Sequence, residues 1–413
     1  MPELLFLSHR LPYPPDKGEK IRAWHILQHL AKSHDIHLGC LADDPADLAQ
    51  LGELRRICAS VACFRVSPAL QKARAIVSMR SGRPLTIDAF HSRRLNRWVA
   101  DTLSRRAVQR IFVFSSAMAG YVTGQQGYTR VLDMVDIDSE KWRAYAPHHR
   151  WPMRSLYMRE ADTLLTLERR LVHDFDLTLF VSEAEARTFI AIAPESHDRV
   201  YWLDNGVDLS RFSLTQAFPS PFPEGQANIV FTGTMDYWPN IDAVNWFVEA
   251  VLPLIRQSHP AVRFWIVGAT PSRAVTRLRG PGVIVTGRVP DVRPFLAHAD
   301  LAVAPLRIAR GVQNKVLEAM AMARPVVATP EAFEGIRATP GKDLLIASTA
   351  DAIARSIVEI LGNHHPILGL SARAAVQRNH DWSKTLRVLD TVFPPAGDTR
   401  DTQPEPVPAN AAL

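Results

Sequence analysis

Residues 301–330 read LAVAPLRIARGVQNKVLEAMAMARPVVATP, and the reading of this stretch decides the fold. A buried strand is expected over 301–306, a loop over 307–314, a helix over 315–323 and a second buried strand over 325–329. The loop therefore delivers its backbone to a helix N-terminus, where unpaired N–H groups and the positive end of the helix dipole suit a phosphate. Gly311 lets the backbone approach a ligand closely, and Lys315 adds a formal charge. Glu318, one turn into the helix, is an acceptor able to hold a pair of sugar hydroxyls. Phosphate donors beside a hydroxyl acceptor describe a nucleotide site. The plain alternative is a βαβ unit whose Lys and Glu are merely solvated.

Outward from this stretch, short apolar runs alternate with longer amphipathic segments. Strands are expected at 4–8, 36–41, 61–66, 111–114, 131–135 and 177–181, and again at 229–232, 263–267, 283–286, 301–304 and 326–328. Strands alternating with helices indicate parallel sheets covered on both faces. Two such series predict an α/β protein of two doubly wound, Rossmann-like domains facing across a cleft, with ligands beyond the carboxyl ends of the strands. The expected divisions are 1–204, 205–378, a crossover helix over 379–393 returning to the first domain, and a disordered Pro- and Ala-rich tail over 394–413.

Residues just after strands are the candidate site. In SHRLPYPPDKGEKIRAWHILQHLA, from Ser8, Gly18 opens a helix whose apolar face is expected to be Ile21, Trp24, Ile26, Leu27 and Leu30. The fingerprint GxGxxG is absent, so a dinucleotide is not indicated. VLDMVDIDSEKW places Asp133 and Asp136 after a buried strand, where acids are unwelcome unless paired or functional. Asp136, nearest the strand end, is the leading cleft carboxylate. Asp136-Ile137-Asp138 also matches a DxD metal motif, but Asp138 or Ser139 is more simply read as a helix N-cap, and metal binding is not expected. IVFTGTMDYWPN offers a second phosphate-capable loop at Gly233 and Thr234, and VIVTGRVPDV sets Arg288 and Val289 where backbone can read a base edge.

At 413 residues the chain exceeds what one core usually supports. Its 47% hydrophobic and 22% charged content is ordinary for a globular protein, and no apolar run is long enough to span a membrane. Cys40, Cys58 and Cys63 form no CxxC pair, which argues against a disulfide frame and for a reducing cytoplasm. The net charge is +6, and 65–110 holds eleven Lys or Arg against Asp88 and Asp101. No nucleic-acid fold signature accompanies that run, which leaves an anionic membrane face or a solvated surface, and nucleic acid is not an expected partner.

Together, VPDVRPFLAHADLAVAPL, GVQNKVLEAMAMARPVVAT, DNGVDLSRF and IVFTGTMDYWPNIDA resemble the GT-B-fold family 4 glycosyltransferases. PYPPDKGEKIRAWH and LDMVDIDSEKW resemble, within these, the sugar transferases of PEP-CTERM and exosortase exopolysaccharide loci. The resemblance implies retaining, metal-independent transfer of a sugar from a UDP- or GDP-linked donor to a saccharide or lipid-linked saccharide, with no further cofactor. It implies that Glu318 holds the ribose hydroxyls, the backbone at Arg288 and Val289 meets the base, and Gly18 lies near the diphosphate. Asp136 falls where members carry a cleft His or Asp. Two departures matter. The family's paired glutamates, eight positions apart, are broken, with Arg310 at the first and Glu318 at the second; and Asp236, Tyr237 and Trp238 stand where basic residues follow the Gly233 loop. A leaving diphosphate still needs positive charge, so Lys315 and Arg310 join Asp136 as candidate catalytic residues. The inner face of the plasma membrane is the expected setting. The alternatives are a non-hydrolysing nucleotide-sugar epimerase and a non-catalytic nucleotide-sugar-binding scaffold.

Overall fold

The computed structural model describes residues 1–15, 18–42, 45–67, 82–309 and 311–395. The candidates at Arg310 and in the tail beyond 395, and much of the basic run at 68–81, lie outside the described residues.

The first unit, Met1–Asp204 with the chain from Leu386 onward, carries one parallel sheet. Its strands are β1 (Glu3–Ser8), β2 (Asp35–Ala42), β3 (Ser60–Arg65), β4 (Val108–Phe114), β5 (Thr129–Val135), β6 (Leu177–Phe180) and β7 (Val200–Trp202), in the order β3-β2-β1-β4-β5-β6-β7. The runs that form its centre, LLFL in β1 and IFVF in β4, are buried throughout, as continuous apolar strands must be when both faces are covered. β1 and β4 pair in register Leu5↔Ile111 and Leu7↔Val113, although two strands separate them in sequence.

The second unit, Asn205–Thr385, carries β8 (Asn228–Thr232), β9 (Arg263–Val267), β10 (Val283–Gly287), β11 (Leu301–Ala304), β12 (Val326–Ala328) and β13 (Leu345–Ile346). Its order, β10-β9-β8-β11-β12-β13, is the doubly wound order of a dinucleotide-binding sheet. Every strand expected from sequence is present. β7 and β13, three and two residues long, were not anticipated because so short a run carries no period.

Three local expectations need correction. On the helix Gly18–Leu30 the buried face includes Lys20 and Arg22, while Ile21 and Trp24 are half-buried. Lys20 Nζ reaches Asp47 at 2.9 Å, and Arg22 is bidentate to Asp133 with a further bond to the Leu203 carbonyl, so partnered charges replace apolar residues. The helix Asn314–Ala321 stops short of Ala323, whose left-handed backbone (φ 53°) turns the chain into β12. Trp382, expected in the crossover, packs against Gly206 of the second unit. The chain returns to the first unit only from Leu386, where Asp390 meets His29 at 2.7 Å and Phe393 packs on Phe112.

Candidate nucleotide site

In the second sheet, β8 and β11 are adjacent while the chain winds away from them in opposite directions. Their carboxyl ends bound the crevice where doubly wound sheets take ligands. Two loops and two helix starts meet there: 233–237 leading into the helix Trp238–Trp246, and 305–313 leading into the helix Asn314–Ala321.

Lys315 stands at their junction. Its Nζ donates to Asn240 Oδ1 at 2.5 Å, and Asn240 Nδ2 donates to the Thr234 carbonyl at 2.8 Å. The ammonium also lies 4.4 Å from the centre of the Phe231 ring. Burial pushes Lys315 down to about 7, with Glu318 pulling it partly back. Burial pushes Glu318 up to about 7, against the opposing pull of Arg211 and Lys315. Both side chains keep some exposed surface, yet two ionisable groups one turn apart have been drawn toward the same pH from opposite directions. Perturbation of this kind, at the carboxyl edge of a sheet, makes the pair a functional-site candidate.

The backbone is shaped to leave room. A Cβ on Gly233 (φ 156°) would stand 2.8 Å from Asn240 Nδ2 and 3.4 Å from Lys315 Nζ. One on Gly268 would fall 1.7 Å from the Gly233 carbonyl oxygen, so the β8 and β9 ends approach as only glycine permits. Gly311 adopts φ 68°, and its carbonyl accepts from Gln313 Nε2 at 3.1 Å. Asp242, on the same helix as Asn240, takes a two-point pair from Arg307 at 2.9 and 2.5 Å. That helix therefore ties down both ends of the crevice. Asn314, first in its helix, has a buried Oδ1 with no hydrogen-bond partner among the described residues.

The structure thus brings together Gly233, Thr234, Gly311, Lys315 and Glu318. Arg288 and Val289 follow β10, on the same carboxyl edge but two strands from β8; Arg288 is exposed and Val289 half-buried. Asn240 and Arg211 were missed. Asn240 sits in WPN, which reads only as a helix start, and Arg211 lies 107 residues before the Glu318 it influences.

In the first unit, one of the two acids is paired and, among the described residues, the other is not. Asp133 is fully buried and engaged by Arg22 at 2.7 Å. The Asp136 carboxylate makes no hydrogen bond or ion pair among the described residues, and burial raises its pKa against Lys141, with Asp138 adding to the rise. Val135 just before it has φ 70°, a left-handed conformation that a β-branched residue avoids, and Ser115, after β4, has φ 82°, uncommon for any residue but glycine. Asp138 is the first helical residue rather than the cap; Ile137 occupies the cap, and Ser139 is held by Glu168 at 3.0 and 2.5 Å. Gly18 opens its helix and is exposed.

Residues 226–363 match the family model described as Glycosyl transferases group 1. A curated relative, an uncharacterized 44.6 kDa protein in the cps region of Klebsiella pneumoniae, is 22% identical over 231 residues, which is 53% of this chain. The match spans about half, 55%, of that relative. Among solved structures, sucrose-phosphate synthase from Thermosynechococcus elongatus superposes with a TM-score of 0.68 at 15% identity, covering 95% of this chain and 98% of that one. Anabaena Alr3699/HepE in complex with UDP and glucose superposes at 0.66 and 16% identity, over 95% and 99%. WaaG, a glycosyltransferase involved in lipopolysaccharide biosynthesis, does so at 0.63 and 15%, over 95% and 100%. The chain as a whole has the GT-B fold, and its residues 226–363 match the Glycosyl transferases group 1 model.

Proposed function

We propose that this protein is a retaining glycosyltransferase of the family 4 type, moving a sugar from a nucleotide-sugar donor to a saccharide acceptor in exopolysaccharide biosynthesis. The observation that carries the reading is the Lys315 ammonium, held 2.5 Å from Asn240 at the switch point of the region that matches the Glycosyl transferases group 1 model. Glu318, one turn further, takes the ribose hydroxyls, and the backbone at Arg288 and Val289 meets the base. The UDP in the HepE structure favours a nucleoside diphosphate donor, and the cps-region relative favours a polysaccharide pathway.

Chemically, the bond between the anomeric carbon and the diphosphate breaks as the acceptor oxygen bonds that carbon on the same face. The acceptor proton passes to the departing phosphate oxygen. Lys315, with Arg310 beside it in sequence, offsets the charge that develops on the leaving group, and neither a metal nor a further cofactor takes part. Asp136, on the first unit, holds sugar hydroxyls or steadies oxocarbenium charge. An exposed surface supports this acceptor and setting: Trp151 is 82% exposed and Met153 41%, with exposed Arg150 and Arg154 beside them. Aromatic and basic residues so mixed suit a lipid-linked acceptor at the cytoplasmic face of an anionic membrane. No helix among the described residues is long and apolar enough to cross one.

A thermal-shift screen of UDP-, GDP- and dTDP-sugars tests the reading, because a ligand that binds only the folded state raises its melting point. At least one donor should stabilise the protein and then yield a glycosylated acceptor of unchanged anomeric configuration, in EDTA as in buffer. Stabilisation by none removes the donor site. Formation of an isomeric nucleotide sugar from donor alone makes the protein an epimerase, and binding without turnover over a broad acceptor panel makes it a scaffold.

A further inference from the structure

Lys315 is a cation at the β8–β11 crevice, as is the Asp242-paired Arg307, and the segment from Gly233 to Trp246 that faces it contains no Lys or Arg. What that segment supplies instead is Asn240, 5% exposed and bonded at both ends of its amide. The bond from Nδ2 to the Thr234 carbonyl fixes which way the amide faces, so Oδ1 is presented to the Lys315 ammonium. An ammonium has three hydrogens. One is taken by Asn240 and the Phe231 ring lies against the group, so the long Lys side chain is ordered before any ligand arrives. Ordering in advance removes a cost that binding would otherwise carry. A neutral amide does this without cancelling the charge, whereas a carboxylate at the same place would.

Resting on the function proposed above, we propose that Asn240 is a positioning residue for the donor's diphosphate: it aims Lys315 at the switch point. The residue acts through Lys315, its own amide being oriented by the Thr234 carbonyl. Its effect is therefore confined to ligands that carry the diphosphate and depends on Lys315 being present.

Calorimetric affinities of UDP, GDP and dTDP, each beside its bare nucleoside, test this in a double-mutant cycle of Asn240→Ala and Lys315→Ala, with melting points as the fold control. For whichever diphosphate the wild type binds, Asn240→Ala should weaken binding by about fivefold or more while nucleoside affinity stays within about twofold, a coupling expected of groups in contact. In the Lys315→Ala background, Asn240→Ala should add no further loss. Asn240→Asp, which keeps an acceptor for Lys315, loses the donor to the Thr234 carbonyl and adds a negative charge, should also weaken the diphosphate. Losses that simply multiply, an equal loss for the nucleoside, or an Asp variant as tight as the parent would each overturn the inference. Should the wild type bind none of UDP, GDP and dTDP, the proposed function itself fails and takes this inference with it. Binding by the wild type with an additive cycle sinks the positioning role alone.

Discussion

Lys315 and Glu318 are drawn by burial to about 7 from opposite sides, and this pair sets the pH behaviour of the crevice. A lysine whose folded pKa is depressed penalises the folded state below that value, and the penalty fades as pH rises from about 7 toward its unfolded value. A glutamate raised to about 7 works the other way: it favours the folded state below the unfolded value of 4.5, and this advantage is lost as pH rises to about 7. An anionic diphosphate stabilises the protonated amine, so its binding should take up a proton and weaken as pH climbs above about 7. Isothermal titration in buffers of different ionisation enthalpy would show the uptake, and Lys315→Met should abolish it; a pH-independent affinity in the wild type would count against Lys315 as a phosphate ligand. Lys315, Glu318 and Gly311 were legible in the sequence because they crowd one loop and one helix turn. Asn240 was not, since its partner lies 75 positions away and a lone Asn at a helix start has a sufficient local explanation.

Among the elements, the helix Gly18–Leu30 most clearly defies its pattern. Its periodicity correctly buries Ile26, Leu27 and Leu30 but omits Lys20 and Arg22 from the buried face, because Arg22 finds two carboxylate oxygens and a carbonyl inside the first unit. Breaking such a pair strands the partner charge, so Arg22→Met should lower stability by roughly 3–5 kcal/mol in a denaturant titration. A loss under about 1 kcal/mol would place the Arg22–Asp133 pair among weakly coupled surface pairs. The strands were legible because most are short, largely apolar runs, as parallel strands covered on both faces tend to be. The end of the helix Asn314–Ala321 was not, because the stop is a left-handed alanine, Ala323, that no sequence signal announces.

Across the whole molecule, the sequence pattern conveyed two doubly wound series. It missed where the chain re-enters the first unit, because a tryptophan as large as Trp382 reads equally well in either unit until its neighbour, Gly206, is known. The +6 charge and the exposed Trp151–Met153 corner lead to a further expectation. The protein should float with anionic liposomes at low salt, and either Trp151→Ser or salt of about 0.5 M, where screening is strong, should release it. Recovery only in the pellet at low salt would remove the membrane from the account. The central claim is that a nucleotide's diphosphate sits where 311–318 begin their helix. Its most direct test is a crystal structure with the nucleoside diphosphate that best stabilises the protein. The account predicts phosphate oxygens about 3 Å from Lys315 Nζ and from backbone N–H groups of that helix start; a nucleotide bound elsewhere, with this helix start untouched, would contradict it.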